Sequence, residues 1–195
     1  MKEFASKATN PVKLPRKSVL YVGRLSKEKG IEVLIHAWRT VHKRIPEAWL
    51  YIIGTGPLES KIRTYHGKYN IKFVGWIPHN QIPNWLCNTS AFVMPSIQET
   101  GMPMAILEAM AMKVPVIATK TGGISDIITN EKTGIMIRPN STKELASALI
   151  RVLTENMEKI VENAYENIKR NYNLDKILDA YLRIYQKLSS KQTQT

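Results

Sequence analysis

The feature that most narrows what this chain can fold into is an alternation. From Ser18 onward, short apolar runs rich in β-branched and aromatic residues are separated by longer stretches whose apolar residues recur at helical spacing. Strands separated by helix-length connections read as βα units feeding a parallel sheet. Six such runs are readable: SVLYV (18–22), WLYII (49–53), IKFV (71–74), AFVM (91–94), VPVIA (114–118) and IMI (135–137). Most are apolar at every position, as strands buried on both faces are. Between them, Ile31, Leu34, Ile35, Trp38, Val41 and Ile45 form one helical stripe that Pro46 stops, and Ser141-x-x-Glu144 makes a capping box ahead of Leu145, Leu149, Val152 and Leu153. Beyond residue 155 two helical segments follow, one to about Tyr172 and one over about Leu174–Leu188. The second carries an apolar face of Leu174, Ile177, Leu178, Tyr181, Leu182, Tyr185 and Leu188 that must pack on something. The expected architecture is therefore an α/β, Rossmann-like open parallel sheet of about six strands with helices on both faces. It occupies 18–171, after a loose N-terminal tail (1–17) and before a C-terminal helix and tail (172–195).

With 195 residues, 44% hydrophobic and 23% charged, the chain has enough apolar side chains for a sizeable core, which excludes disordered, fibrous and low-complexity classes. A single cysteine, Cys87, forms no internal disulfide and no structural zinc site, which points to a reducing, cytoplasmic setting. No run approaches the ~18 apolar residues of a spanning helix, and Met1–Lys17 lacks an apolar signal-peptide block. The net charge of +12 is uneven: residues 1–75 hold 15 Lys and Arg against 5 Asp and Glu, and the remainder 13 against 11. Such an excess calls for anionic partners: phosphates, a lipid surface touched peripherally, or nucleic acid. The last is disfavoured because basic and aromatic residues are not interleaved as in nucleic-acid recognition motifs.

Four polar, Gly-bearing loops fall after strands, at the carboxyl edge where open α/β sheets bind ligands. The first, GRLSKEKG (Gly23–Gly30), places Arg24 and Lys29 in a strand-to-helix turn, where two cations and free helix amides suit a phosphate pair. Two solvated cations beside a tight turn would look the same. In the second, IIGTGPL, Gly54 and Gly56 allow close backbone approach, but neither a dinucleotide fingerprint nor a P-loop is present. The third, MPSIQETGMPMAILEAMAM, runs from a polar loop into an apolar helix. Glu108 stands among Leu107, Ala109 and Met110, where a ribose diol would supply the donors a buried acid needs; a glutamate facing water is the plainer alternative. Glu99 could accept sugar hydroxyls or merely stabilise the helix that follows. The fourth, KTGGISDII, reads as a turn at Gly122–Gly123. His36, His42, His66 and His79 have no metal-binding spacing with one another or with Cys87, no Gly-x-Ser-x-Gly elbow occurs, and Met102, Met104, Met110 and Met112 read as core filler.

Taken in order, GRLSKEKG, IIGTGP, FVGWIP (Phe73–Pro78), PSIQETGMPMAILEAMA, PVIATKTGGISDII and TGIMIRP (Thr133–Pro139) resemble the C-terminal, donor-binding half of family 4 glycosyltransferases, retaining enzymes of the GT-B fold. The resemblance covers roughly 18–170. It implies that Arg24 and Lys29 hold the diphosphate of a nucleotide diphosphate sugar, that Glu108 takes the ribose hydroxyls, and that Glu99 orients the donor sugar. It also implies that Trp76, Ile77 and Pro78 border the base, that Gly101, Met102 and Pro103 face phosphate or sugar, and that Gly23, Gly54 and Gly56 line the ligand. No metal or separate cofactor is implied. The chain departs from the family in three ways. Eight residues rather than seven separate its two glutamates, so Thr100 competes for the first position; Lys113 stands where glycine is common; and the first, acceptor-binding half is absent. Either the sequence is a fragment of a longer protein, or a homo-oligomer or a partner chain would complete the cleft, or the protein is a natural single half; a non-catalytic nucleotide-sugar or polyphosphate binding module is the rival function. The acceptor, whether saccharide, lipid or protein, is not specified.

Overall fold

A computed structural model describes residues 8–172, 178 and 181–186. Six strands form one parallel sheet: β1 (Ser18–Val22), β2 (Trp49–Ile53), β3 (Ile71–Gly75), β4 (Ala91–Met94), β5 (Val116–Thr119) and β6 (Ile135–Ile137), in the order β3-β2-β1-β4-β5-β6. The order reverses direction at β1, which pairs with β2 from Ser18↔Trp49 to Val22↔Ile53 on one side and with β4 through Val19↔Ala91 and Leu20↔Phe92 on the other. That reversal opens a crevice at the carboxyl ends of β1 and β4. The central strands β4 and β5 are wholly buried, whereas the edge strand β3 leaves Lys72 exposed and Val74 partly uncovered and the edge strand β6 leaves Met136 partly uncovered.

The helices are α1 (Ile31–Arg44), α2 (Glu59–Arg63), α3 (Ile82–Leu86, after a 3-10 turn at His79–Gln81), α4 (Met104–Ala111), α5 (Ile124–Ile127), α6 (Thr142–Thr154) and α7 (Glu158–Asn171). Because side chains alternate across a strand, Val19 and Tyr21 fall into one core layer with Leu34, Trp38, Leu145 and Leu149 of α1 and α6. Leu20 falls into the other, with Ile106, Met110 and Ile168 of α4 and α7. Only half of the expected capping box at α6 forms: Ser141 Oγ accepts from Glu144 N–H, while Ser141 N–H donates to Arg138 O and the Glu144 carboxylate accepts from Arg138.

Two details differ from the sequence reading. The fifth strand starts at Val116 rather than 114, because Val114 N–H donates to Ala109 O as part of the α4 terminus and Pro115 has no N–H to give the ladder. Residues 10–16, expected in a loose tail, are tied down: Asn10 and Val12 donate backbone N–H groups to Asn84, Asn88 donates to Val12 O, and Ser90 Oγ donates to Arg16 O. Of the last expected helix, Leu178 and 181–186 are helical, and Leu178, Tyr181, Leu182 and Tyr185 are exposed. Leu174, Ile177 and Leu188 lie outside the described residues.

Candidate functional site

The crevice between β1 and β4 is a cavity of about 270 Å³ that takes in Gly23, Arg24, Lys29, Ser96, Glu99 and Pro103. Its charged centre is an ion pair, Lys29 Nζ to Glu99 Oε2 at 2.6 Å, with the Glu99 side chain only 9% exposed. Ser96 Oγ donates to the same oxygen at 3.2 Å, and Thr119 Oγ1 donates to Ser96 O, so the loop after β4 and the end of β5 together hold the acid. Behind it, the buried Tyr21 hydroxyl donates to Arg24 O at 2.8 Å. Burial pushes the Tyr21 phenol well above its usual range, with the Glu28 and Glu99 carboxylates adding to the effect, so it remains a donor. At the other wall α4 follows its N-cap residue Pro103 with no side-chain cap, and Met104 and Ala105 line the cavity, so the first-turn amides of an eight-residue helix add positive potential.

A wider cavity of about 610 Å³ lies over the carboxyl ends of β1, β2 and β3 and presents Gly54, Gly56, Trp76, Ile77 and His79. Gly23 and Arg24 line both cavities, with the Arg24 side chain exposed at their junction. The wall between them is a backbone-on-backbone contact: Gly54 has φ 134°, and a Cβ there would lie 1.9 Å from Gly23 O. On the far side, a Cβ at Gly122 would lie 1.9 Å from Glu99 O, so the loop after β5 braces the Glu99 loop. A third depression, about 470 Å³ between β6 and α6, is remote from this edge, and its Arg138 and Arg151 are paired with Glu144 and Glu131.

The structure thus brings Arg24, Lys29, Glu99, Gly23 and Pro103 into one crevice and Gly54, Gly56, Trp76 and Ile77 into its neighbour. Pro78, Thr100, Gly101 and Met102 line neither; Thr100 and Met102 are exposed, and Gly101 packs its carbonyl against Gly123. Between the competitors for the first acidic position, Glu99 is the one inside the crevice. Glu108 is buried rather than water-facing, its Oε1 at 2.7 Å from His79 Nε2. Met102 and Met104 are exposed, contrary to the expectation of core filler: Met102 lies in the loop before α4, and Met104, the first residue of α4, lines the crevice rather than facing the sheet. The sequence reading set His79 aside with the other histidines. Its signal was its place directly after the Trp76–Pro78 turn, but 29 residues from Glu108 no local spacing reveals the pair. Among the described residues no cluster of three or more His, Cys, Asp or Glu could hold a metal ion.

The family profile for glycosyl transferases group 1 matches residues 16–155. The chain belongs to that family. It is 33% identical over 175 residues to a putative teichuronic acid biosynthesis glycosyltransferase, TuaC, of Bacillus subtilis, covering 89% of this chain and 43% of that protein. Among solved structures, a point mutant of Staphylococcus aureus TarM in complex with fondaparinux, α-GlcNAc-glycerol and UDP superposes with a TM-score of 0.78 at 25% identity, over 91% of this chain and 37% of TarM. The separately crystallised C-terminal domain of a group 1 glycosyl transferase, LpcC, from Francisella tularensis superposes with a TM-score of 0.72 at 27% identity, over 87% of this chain and 98% of that domain. This group 1 glycosyltransferase chain spans less than half the length of the curated relatives it matches, and its fold is that of the GT-B C-terminal domain.

Proposed function

We propose that the chain is the donor-binding half of a retaining, family 4-type glycosyltransferase, binding a nucleotide diphosphate sugar across the two cavities. The observation that carries this is Arg24 at the junction of an aromatic, glycine-lined cavity and a crevice holding the Lys29–Glu99 pair. The nucleoside lies against Trp76 and Ile77, and Glu108 accepts from the ribose. The diphosphate meets Arg24, Lys29 and the amino end of α4, and Glu99 receives hydroxyls of the sugar. When the glycosidic bond breaks, the bonding pair leaves with the diphosphate, and the cations and helix amides stabilise the charge that develops there. The nucleotide enters as part of the substrate, and no resident cofactor is assigned. The acceptor-binding half comes from a partner chain or another part of the protein, and the exposed Leu178, Tyr181, Leu182 and Tyr185 are the surface that meets it. The reaction is placed in the cytoplasm on the strength of the lone cysteine, and the cationic N-terminal third suits an anionic membrane surface. Among the described residues no helix is long and apolar enough to cross a membrane.

Calorimetric titration of the chain with UDP-, GDP- and ADP-sugars tests the proposal. Saturable binding of one nucleotide class, with the matching diphosphate competing, is the expected result; no binding by any of them overturns it.

A further inference from the structure

Glu108 sits in the middle of an otherwise apolar helix with its side chain 8% exposed, so its carboxylate has lost most of its water and requires donors. The chain supplies one among the described residues: His79, from the 3-10 turn after β3, with Nε2 2.7 Å from Oε1. An ionised carboxylate only accepts, so Nε2 is the donor. The second oxygen, Oε2, meets no donor among the described residues. Glu108 itself lines neither cavity, and His79 is the residue that joins it to the wide one. His79 also lines the wide cavity beside Trp76 and Ile77, so a sugar ring lying there would stand against the imidazole–carboxylate pair.

We propose that His79 is the positioning residue of the ribose-reading carboxylate: it fixes Oε1 of Glu108 and thereby orients Oε2 toward a ribose hydroxyl. This rests on the assignment of ribose to Glu108 made above. The imidazole itself is mostly exposed and gains little from the contact by burial. Its hydrogen bond acts on Glu108, which without it rotates or recruits water and loses the fixed direction on which hydroxyl recognition depends.

The test compares a ribonucleoside diphosphate with its 2′-deoxy counterpart, in the uridine, guanosine and adenosine series, by calorimetry on the full chain. His79→Ala is expected to shrink the ribo-to-deoxy affinity ratio by about three-fold or more while leaving deoxy affinity within about two-fold. His79→Gln, which keeps an N–H donor of similar reach, recovers most of the ratio; thermal unfolding confirms that each variant is folded. Glu108→Gln separates the two ideas. If it leaves the ratio at the parental value, or if the parent binds no nucleotide, the ribose assignment fails and this inference with it. If Glu108→Gln collapses the ratio but His79→Ala does not, or if His79→Ala weakens both nucleotides equally, the positioning role alone is overturned.

Discussion

The two cavities on either side of Gly23 share a wall and differ in almost everything else. The crevice between β1 and β4 is small and charged, built around an ion pair whose acid is anchored by Ser96. The cavity over β1–β3 is more than twice as large and is lined by glycine, Trp76 and Ile77, with Trp76 69% exposed. A narrow site with cations in place recognises charge, because its groups are already oriented and partly desolvated. A broad site with an exposed indole recognises a flat ring by stacking, with little geometric demand. A nucleotide diphosphate sugar has both parts in one molecule, and in the function proposed above they join where Arg24 stands.

The largest effect is expected where the two regions are joined. Gly54→Ala forces a Cβ to within 1.9 Å of Gly23 O at a backbone angle of 134° that other residues avoid, so it should cost about 3 kcal/mol or more of stability. Urea unfolding checks this, and a loss below about 0.5 kcal/mol would show that the shared wall yields easily. Next, Lys29→Ala removes a cation and leaves the nearly buried Glu99 without its counter-charge. Affinity for nucleoside diphosphates and for pyrophosphate should fall about ten-fold or more, as loss of a charge-assisted contact does. Nucleosides should be unaffected in the same titrations, and an equal loss for nucleosides would erase the distinction between the cavities. Trp76→Ala should do the reverse, weakening nucleosides and nucleoside diphosphates alike by about five-fold and sparing pyrophosphate. The smallest effect belongs to a site remote from both. Lys113 holds φ 56° while its ammonium meets Glu162 at 2.8 Å. Lys113→Gly relieves a left-handed backbone worth about 1–2 kcal/mol, part of which glycine's greater chain entropy offsets, and loses a surface ion pair that solvent screens. Stability should therefore change by about 1 kcal/mol or less, with unaltered nucleotide affinity.

Much of this division was legible in the residues. Parallel strands buried on both faces announce themselves as unbroken apolar runs, so β1, β2, β4 and β6 could be bounded from sequence, and the loops after them follow. Pro115 misled the start of β5 because an apolar run does not show which N–H groups are available to the ladder. Lys113 stood out in the sequence as a substitution for glycine, and its positive φ gives the physical reason that glycine suits the turn. Partners distant in sequence were beyond reach. Nothing local to Glu108 names His79, and nothing in Gly54 says that its close approach is to Gly23 rather than to a ligand. The residues that carry charge were readable from their loops; those that orient them became visible only in three dimensions.

That a single ligand spans both regions through Arg24 is tested most directly by titrating UDP and uridine, or the guanosine or adenosine pair if that base is the one bound, into the parent and into Arg24→Ala. The parent should bind the diphosphate at least about ten-fold more tightly than the nucleoside. Arg24→Ala should weaken the diphosphate by about ten-fold or more while leaving the nucleoside within about two-fold. Equal losses for both ligands in a folded Arg24→Ala protein would contradict the account.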